Sequence, residues 1–213
     1  MPNICYNHIR INGSYWDLDA IRKRGRVTFM VEPSFIYKDR TTTIETNEFS
    51  LEGFVPAPPI VRVQYQDPND PIAPAVAYCE RHGLADQKIR FLCGNKTGEA
   101  NRLYSENPSY WYRWCVDNWG TKWDTWDAEV SLTCPDELVV EFKTAWCPPD
   151  KVLKEISRLY PNVDVRCHAD IEGCRSVVIE WRNGKETYQH EYDPELYGIT
   201  ECAWWPKGGE EDA

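Results

Sequence analysis

The chain has no basic excess, no long apolar run, no cysteine pairs at metal-binding spacing and no glycine-rich phosphate loop. Each absence removes a class of function. With 24 Lys and Arg against 34 Asp and Glu, the formal net charge is -10. Clustered cations are what displace counterions from a phosphate backbone, so general nucleic-acid binding is disfavoured. A basic surface on a protein partner suits this charge better, and the same charge also serves solubility. No stretch approaches the ~20 apolar residues of a membrane helix. No positively charged start leads into an apolar run, so a secretory signal is not expected. The nine cysteines form no C-x-x-C pair, which points to mostly buried free thiols in a reducing cytoplasm.

The candidates for chemistry are each incomplete. Cys79 and His82 stand one helical turn apart with Cys93 downstream, and Cys167-His168 is followed by Cys174. Either group is one ligand short of the tetrahedron that zinc requires. Gly94-Asn95-Lys96-Thr97-Gly98 lacks P-loop spacing. His8, His82, His168 and His190 are scattered, and no nucleophile elbow accompanies them. No catalytic residue, metal or cofactor is therefore assigned, and the expectation is a protein that is not an enzyme.

Aromatics are what the chain has in quantity: 10 Trp and 12 Tyr against 6 Phe. Rings with a polar handle suit partly buried layers and interfaces as well as cores. Five of the tryptophans fall between Tyr110 and Trp126. Trp111, Trp114, Trp119 and Trp123 recur near helical spacing, which reads chiefly as packing, with Gly120 as a left-handed stop and Lys122 paired with Asp124 or Asp117. The far end of the run is the candidate partner-binding surface: Trp119, Thr121, Lys122, Trp123 and Asp124.

Element patterns place this run. A strand over 4–11 ends at Asn12-Gly13, and Ser14 caps a helix over 15–24 with Trp16, Leu18 and Ile21 as apolar positions. Arg22, Lys23, Arg24 and Arg26 complement the dipole at its end. Residues 49–55 suggest a strand, 73–82 a helix closed by Gly83, and 86–93 fit either state. Asn107 and Pro108 open the aromatic helix in the expected N-cap and first-turn positions. Strands over 128–133 and 138–144 follow, then a helix after Pro148-Pro149 with Val152, Leu153, Ile156, Leu159 and Tyr160 as its stripe. Strands over 163–169 and 176–181 come next, and the Asn183-Gly184 turn leads into 187–192. The order βαββαβ plus a hairpin is the α+β, ferredoxin-like pattern: an antiparallel sheet with two helices on one face. Residues 1–26 supply a strand and helix to it, 27–106 form an irregular helical insertion, 107–205 form the ferredoxin-like part, and 206–213 are an acidic tail.

Several segments carry a resemblance. They are Met1-Pro2-Asn3 with Cys5 and Asn7; Phe54-Val55-Pro56-Ala57-Pro58; Trp111-Tyr112 with Trp114; Asn118-Trp119-Gly120-Thr121-Lys122-Trp123-Asp124; Thr144-Ala145-Trp146 with Pro148-Pro149; and Leu159-Tyr160-Pro161. With these the chain resembles the YubB-type ferredoxin-like proteins of phages and conjugative plasmids. The specific blocks cover about 105–192, and 60–105 match no named pattern. Ile4 stands where that family usually has an aromatic, and Cys147 where it often has Ser. The resemblance implies the fold and a mobile-element origin, and it transfers no catalytic residue. It suggests an accessory factor that binds and blocks a host protein such as a defence factor. The alternatives are a nucleic-acid-binding module and a protein or enzyme that acts on a nucleotide signal.

Overall fold

The computed structural model describes residues 3–31, 43–65, 71–96, 107–172 and 175–193. Strand β1 (Ile4–Asn12) alternates strictly, burying Cys5, Asn7, Ile9 and Ile11 and turning Tyr6, His8 and Arg10 to the opposite face. Helix α1 (Tyr15–Gly25) is capped by Ser14, whose hydroxyl accepts from Asp17 N at 3.2 Å and donates to the Asp17 carboxylate at 2.8 Å. Its core contacts are Leu18 and Ile21. Trp16, expected on that apolar side, is instead 79% exposed beside Tyr15, because position 16 points away from the 18/21 stripe.

The region after α1 holds a two-stranded ribbon, β2 (Val27–Val31) with β3 (Thr43–Asn47). Residues 49–55, expected as a strand, form a 3-10 turn over Leu51–Gly53. Ser50 caps it by accepting from Glu52 N, a local bond that competes with an extended chain. Helices α2 (Pro59–Tyr65), α3 (Ile72–Arg81) and α4 (Ala85–Lys96) follow, so the ambiguous 86–93 stretch is helical. Gly83, at φ 67°, makes the expected turn between α3 and α4.

Helix α5 (Trp111–Trp119) begins later than expected. Asn107 caps a preceding turn by accepting from Ser109 N at 3.0 Å, and Tyr110 occupies the N-cap position. Gly120 stops α5 at φ 87°. Then come β4 (Trp126–Cys134), β5 (Glu137–Ala145), α6 (Asp150–Leu159), β6 (Asp164–Ile171), β7 (Arg175–Arg182) and β8 (Lys185–Tyr192).

The six strands of the main sheet run in the order β4-β5-β1-β6-β7-β8, and every neighbouring pair is antiparallel. Strand β5 lies between β1 and β4, and β1 between β5 and β6, so each of the two strand–helix–strand crossovers is split around one strand. That is the ferredoxin-like α+β fold, extended on one side by the β7–β8 hairpin. Asn183 and Gly184 both have positive φ in its two-residue turn, as the Asn-Gly pair requires. Val152, Leu153 and Ile156 of α6 are buried, and Leu159 and Tyr160 are half-buried at the end of the stripe. Phe49 stacks on Phe142 of β5 at 5.7 Å, so the segment before the 3-10 turn belongs to the same core as the sheet. No helix among the described residues is long and apolar enough to cross a membrane.

The end of α5 and the start of α6 are packed closely. Lys151 Nζ donates to the carbonyls of Val116 at 3.0 Å and Asp117 at 2.8 Å, satisfying acceptors that the helix end leaves open. A Cβ on Gly120 would fall 2.0 Å from Asp150 Oδ1, whereas one on Gly83 would meet nothing within 4 Å. Both glycines have positive φ. Gly83→Ala should therefore cost only the backbone strain, roughly 1 kcal/mol, and Gly120→Ala about 1 kcal/mol more, because the end of the Asp150 side chain must swing aside. Urea unfolding of the two variants checks this, and equal losses would contradict the proposed close contact at Gly120.

An aromatic box around Lys122

Residues 121–124 form a short strap between α5 and β4, and buried anchors hold both of its ends. Thr121 is buried, and its hydroxyl donates to the Ala145 carbonyl at 2.9 Å. At the other end the Asp124 carboxylate accepts from Ser50 Oγ at 2.5 Å, Leu51 N at 2.7 Å and Thr125 N at 2.8 Å. Just before the strap, buried Trp119 donates its indole N–H to the Val55 carbonyl at 2.8 Å. Three of the five candidate contact residues, Trp119, Thr121 and Asp124, are thus internal fasteners. Lys122 and Trp123 are half-exposed and have no such fastening; Asp124 is half-exposed as a residue, with its carboxylate turned inward onto its three donors.

The expected pairing of Lys122 with Asp124 or Asp117 does not occur. Asp124 is occupied as described, and Asp117 pairs with Arg113 one helical turn back. The Lys122 ammonium lies instead among four rings. Its Nζ is 4.4 Å from the centroid of Trp123, 5.3 Å from Trp146, 5.6 Å from Tyr112 and 5.9 Å from Trp111. These distances fall in the range of cation–π attraction. Tyr112 meets Trp111 and Trp146 edge-on, at 5.7 and 6.0 Å. Burial of the amine, unopposed by a carboxylate, pushes the Lys122 pKa below its ordinary value.

Trp146 and Tyr112 were not among the residues singled out for partner contact. Trp146 is 39% exposed and has φ 71°, a left-handed conformation disfavoured for a tryptophan. Its N–H donates to Asn3 O at 2.9 Å, and a buried chain fixes the turn that follows it. In that chain Asn7 Nδ2 donates to Thr144 Oγ1 at 2.8 Å, which donates to Cys147 O at 2.8 Å. The available signal was the motif list itself. The segments around Asn3 and Asn7, Val55, Trp119 to Asp124 and Thr144 to Trp146 are remote in sequence, yet they converge at this end of the sheet.

The opposite sheet face carries a second group. Cross-strand register aligns Glu141, His8, His168, Val178 and His190 in one row. Arg10 Nε donates to His8 Nε2 at 3.2 Å, which leaves His8 Nδ1 to donate to Glu141 at 2.8 Å. His168 hydrogen-bonds the Tyr192 hydroxyl at 2.5 Å with the two rings nearly parallel, and the His190 ring lies near-parallel to Tyr192 at 6.1 Å between centroids. Burial lowers the His168 pKa. Two cations on this face have acidic neighbours: Lys143 has Asp127 at 2.8 Å and Arg166 has Glu180 at 3.5 Å.

Among the described residues, no group of three or more His, Cys, Asp or Glu side chains is placed to hold a metal. Cys79 is buried, and the His82 ring packs on Tyr78 at 4.3 Å. Cys174 lies outside the described residues. Burial raises the thiol pKa of Cys5 to about 12, and those of Cys115 and Cys167 rise too, so these thiols are protonated packing groups.

Fold and surface together define a ferredoxin-like α+β protein with an aromatic, cation-centred patch at one end of its sheet. Residues 118–200 match the family model described as the ferredoxin-like domain in Api92-like protein. The crystal structure of a protein api92 from Yersinia pseudotuberculosis is similar to the chain with a TM-score of 0.47 and 10% identity. That match covers 90% of this chain and 98% of the other. No curated protein matches the chain.

The chemistry of Asp124 gives a test of the frame. Burial raises its carboxyl pKa to about 6, and the bonds from Ser50, Leu51 and Thr125 offset part of that rise. A folded value above the unfolded one means that Asp124 contributes most below pH 3.8 and that this contribution is lost as pH rises through about 6. Asp124→Asn keeps an acceptor for Leu51 N and Thr125 N and carries no charge. It should match or exceed wild-type stability at pH 7, with a flatter pH dependence between 4 and 6. Asp124→Ala leaves buried donors unpaired and should lose about 3 kcal/mol. Urea titrations at pH 4, 5 and 7 distinguish these outcomes.

Proposed function

We propose that this protein binds another protein through the box around Lys122 and blocks it sterically. The setting is a phage or plasmid product acting in the bacterial cytoplasm on a host protein such as a defence factor. The observation that carries the reading is the half-exposed Trp123, Tyr112 and Trp146 around Lys122, set on a strap anchored at both ends. Aromatic anchors dominate binding energy at protein interfaces, and side chains already fixed lose little entropy on association. The left-handed Trp146 supports it further, since a strained conformation at a surface ring costs stability without adding to the core. The net charge of -10 favours encounter with a target whose surrounding surface is basic. The resemblance to mobile-element proteins supplies the setting.

A second reading has one observation in its favour, the near-parallel rings of His168, Tyr192 and His190 on the sheet face that carries Tyr6, His8 and Arg10. Sheets of this fold can stack the bases of a single strand on such rings. The acidic neighbours of Lys143 and Arg166 weigh against it, because phosphate contacts need available cations. A flat titration with single-stranded oligonucleotides at low salt would remove this reading.

Trp146→Gly tests the main reading cleanly. Glycine relieves the positive φ, so thermal stability should hold or rise while the contact surface is lost. Tagged wild-type protein should recover a stoichiometric partner from nuclease-treated bacterial lysate. The glycine variant should bind that partner at least about 30-fold more weakly, as truncation of a hot-spot ring implies. Equal recovery by both proteins would sink the proposal.

A further inference from the structure

We propose that the aromatic box accepts a carboxylate from the bound protein, either an Asp or Glu side chain or a chain-terminal group, lying next to an apolar or aromatic side chain. This rests on the box being the contact surface and assigns the chemistry of what it contacts.

The argument starts from unmet donors. An ammonium has three N–H groups, and a ring face attracts its charge without replacing an oxygen acceptor. Among the described residues Lys122 has ring contacts alone, with no hydrogen bond and no ion pair. The three acids nearest in sequence are committed elsewhere, Asp117 to Arg113, Asp124 to Ser50, Leu51 and Thr125, and Asp127 to Lys143. The ammonium donors of Lys122 therefore lack an oxygen acceptor among the described residues.

A cationic ligand does not fit, although aromatic cages commonly take one. The cation position is filled by Lys122 itself, and a second positive charge would be repelled at close range. A carboxylate meets a charge already partly stripped of water, and the surrounding rings lower the local dielectric and strengthen the bond. The exposed part of Trp146 then provides apolar contact for the group beside the carboxylate. The acidic balance of the whole chain does not oppose this, because distant surface charges are screened beyond about 8 Å at physiological salt.

Phenylacetate, its neutral amide phenylacetamide and choline are suitable probes, followed by the indole N–H signals of Trp123 and Trp146. Phenylacetate should give saturable shifts that weaken as salt is raised. Phenylacetamide should bind at least about tenfold more weakly, the loss expected when a charged hydrogen bond becomes neutral. Lys122→Met should abolish the difference between the two, and Lys122→Arg, which keeps the charge, should retain it. Equal binding of amide and acid, or preferential binding of choline, overturns the inference even if Lys122→Met does not fold. The two readings fail separately. If the lysate partner is lost in Trp146→Gly but kept in Lys122→Met, the contact surface stands and the carboxylate does not. If phenylacetate binds as expected but neither variant changes partner recovery, the carboxylate site stands and its role in partner binding does not.

Discussion

Asp124 is a buried carboxylate that fastens two segments remote in sequence, residues 50–51 and the start of β4. Burying such a group is costly, and its oxygens are compensated by three donors supplied from both segments. Neighbouring bonds extend the joint. Asn47 Nδ2 donates to the Thr125 carbonyl at 3.0 Å, and the Thr125 hydroxyl donates to the Phe49 carbonyl at 2.5 Å. This joint sets Phe49 against Phe142 and so brings residues 47–51 onto the sheet. It also fixes one end of the strap that displays Lys122 and Trp123. The fold and the candidate surface therefore depend on the same few hydrogen bonds.

That dependence explains why the aromatic run serves two roles at once. Trp119 faces inward and holds the turn at Val55, and Thr121 ties the strap to the end of β5. With residues 121 and 124 both pulled inward, the two residues between them have less access to the core, and one is a lysine. Its long apolar stem can follow the ring surfaces while the ammonium stays near the edge of the box. The pattern of anchored ends and displayed middle is a consequence of chain geometry, and the rings of Tyr112 and Trp146 complete it from separate elements.

Regular periodicity was legible in the sequence. The alternation of β1, the stripe of α6 and the Asn-Gly hairpin turn gave their elements with small boundary differences, and the strand–helix order led to the ferredoxin-like arrangement. Local polar competition was harder to read: Ser50 folds back on Glu52 N and turns an apparent strand into a 3-10 turn. The partner of Lys122 was misjudged for a related reason. Sequence proximity favoured Asp117 and Asp124, but Asp117 has Arg113 one turn away and Asp124 is required 73 residues back, at Leu51. Nothing in the local pattern reveals such a distant obligation. Trp146 was hidden because its position depends on a left-handed turn and on the Asn7–Thr144–Cys147 chain, neither of which has a periodic signature.

The position of Trp146 also bears on why the box stands at this end of the sheet. Strand β1 is flanked by β5 and β6, so the beginning of β1 and the end of β5 meet there, and Asn3 O receives the Trp146 N–H. A ring at the end of a central strand is supported by rigid backbone on either side, whereas β8 has, among the described residues, a strand neighbour on one side only. The near-parallel rings of Tyr192 and His190 on β8 rest on that less constrained edge. Preorganisation therefore differs between the two aromatic groups, and it favours the box around Lys122 as the surface on which binding energy would be concentrated.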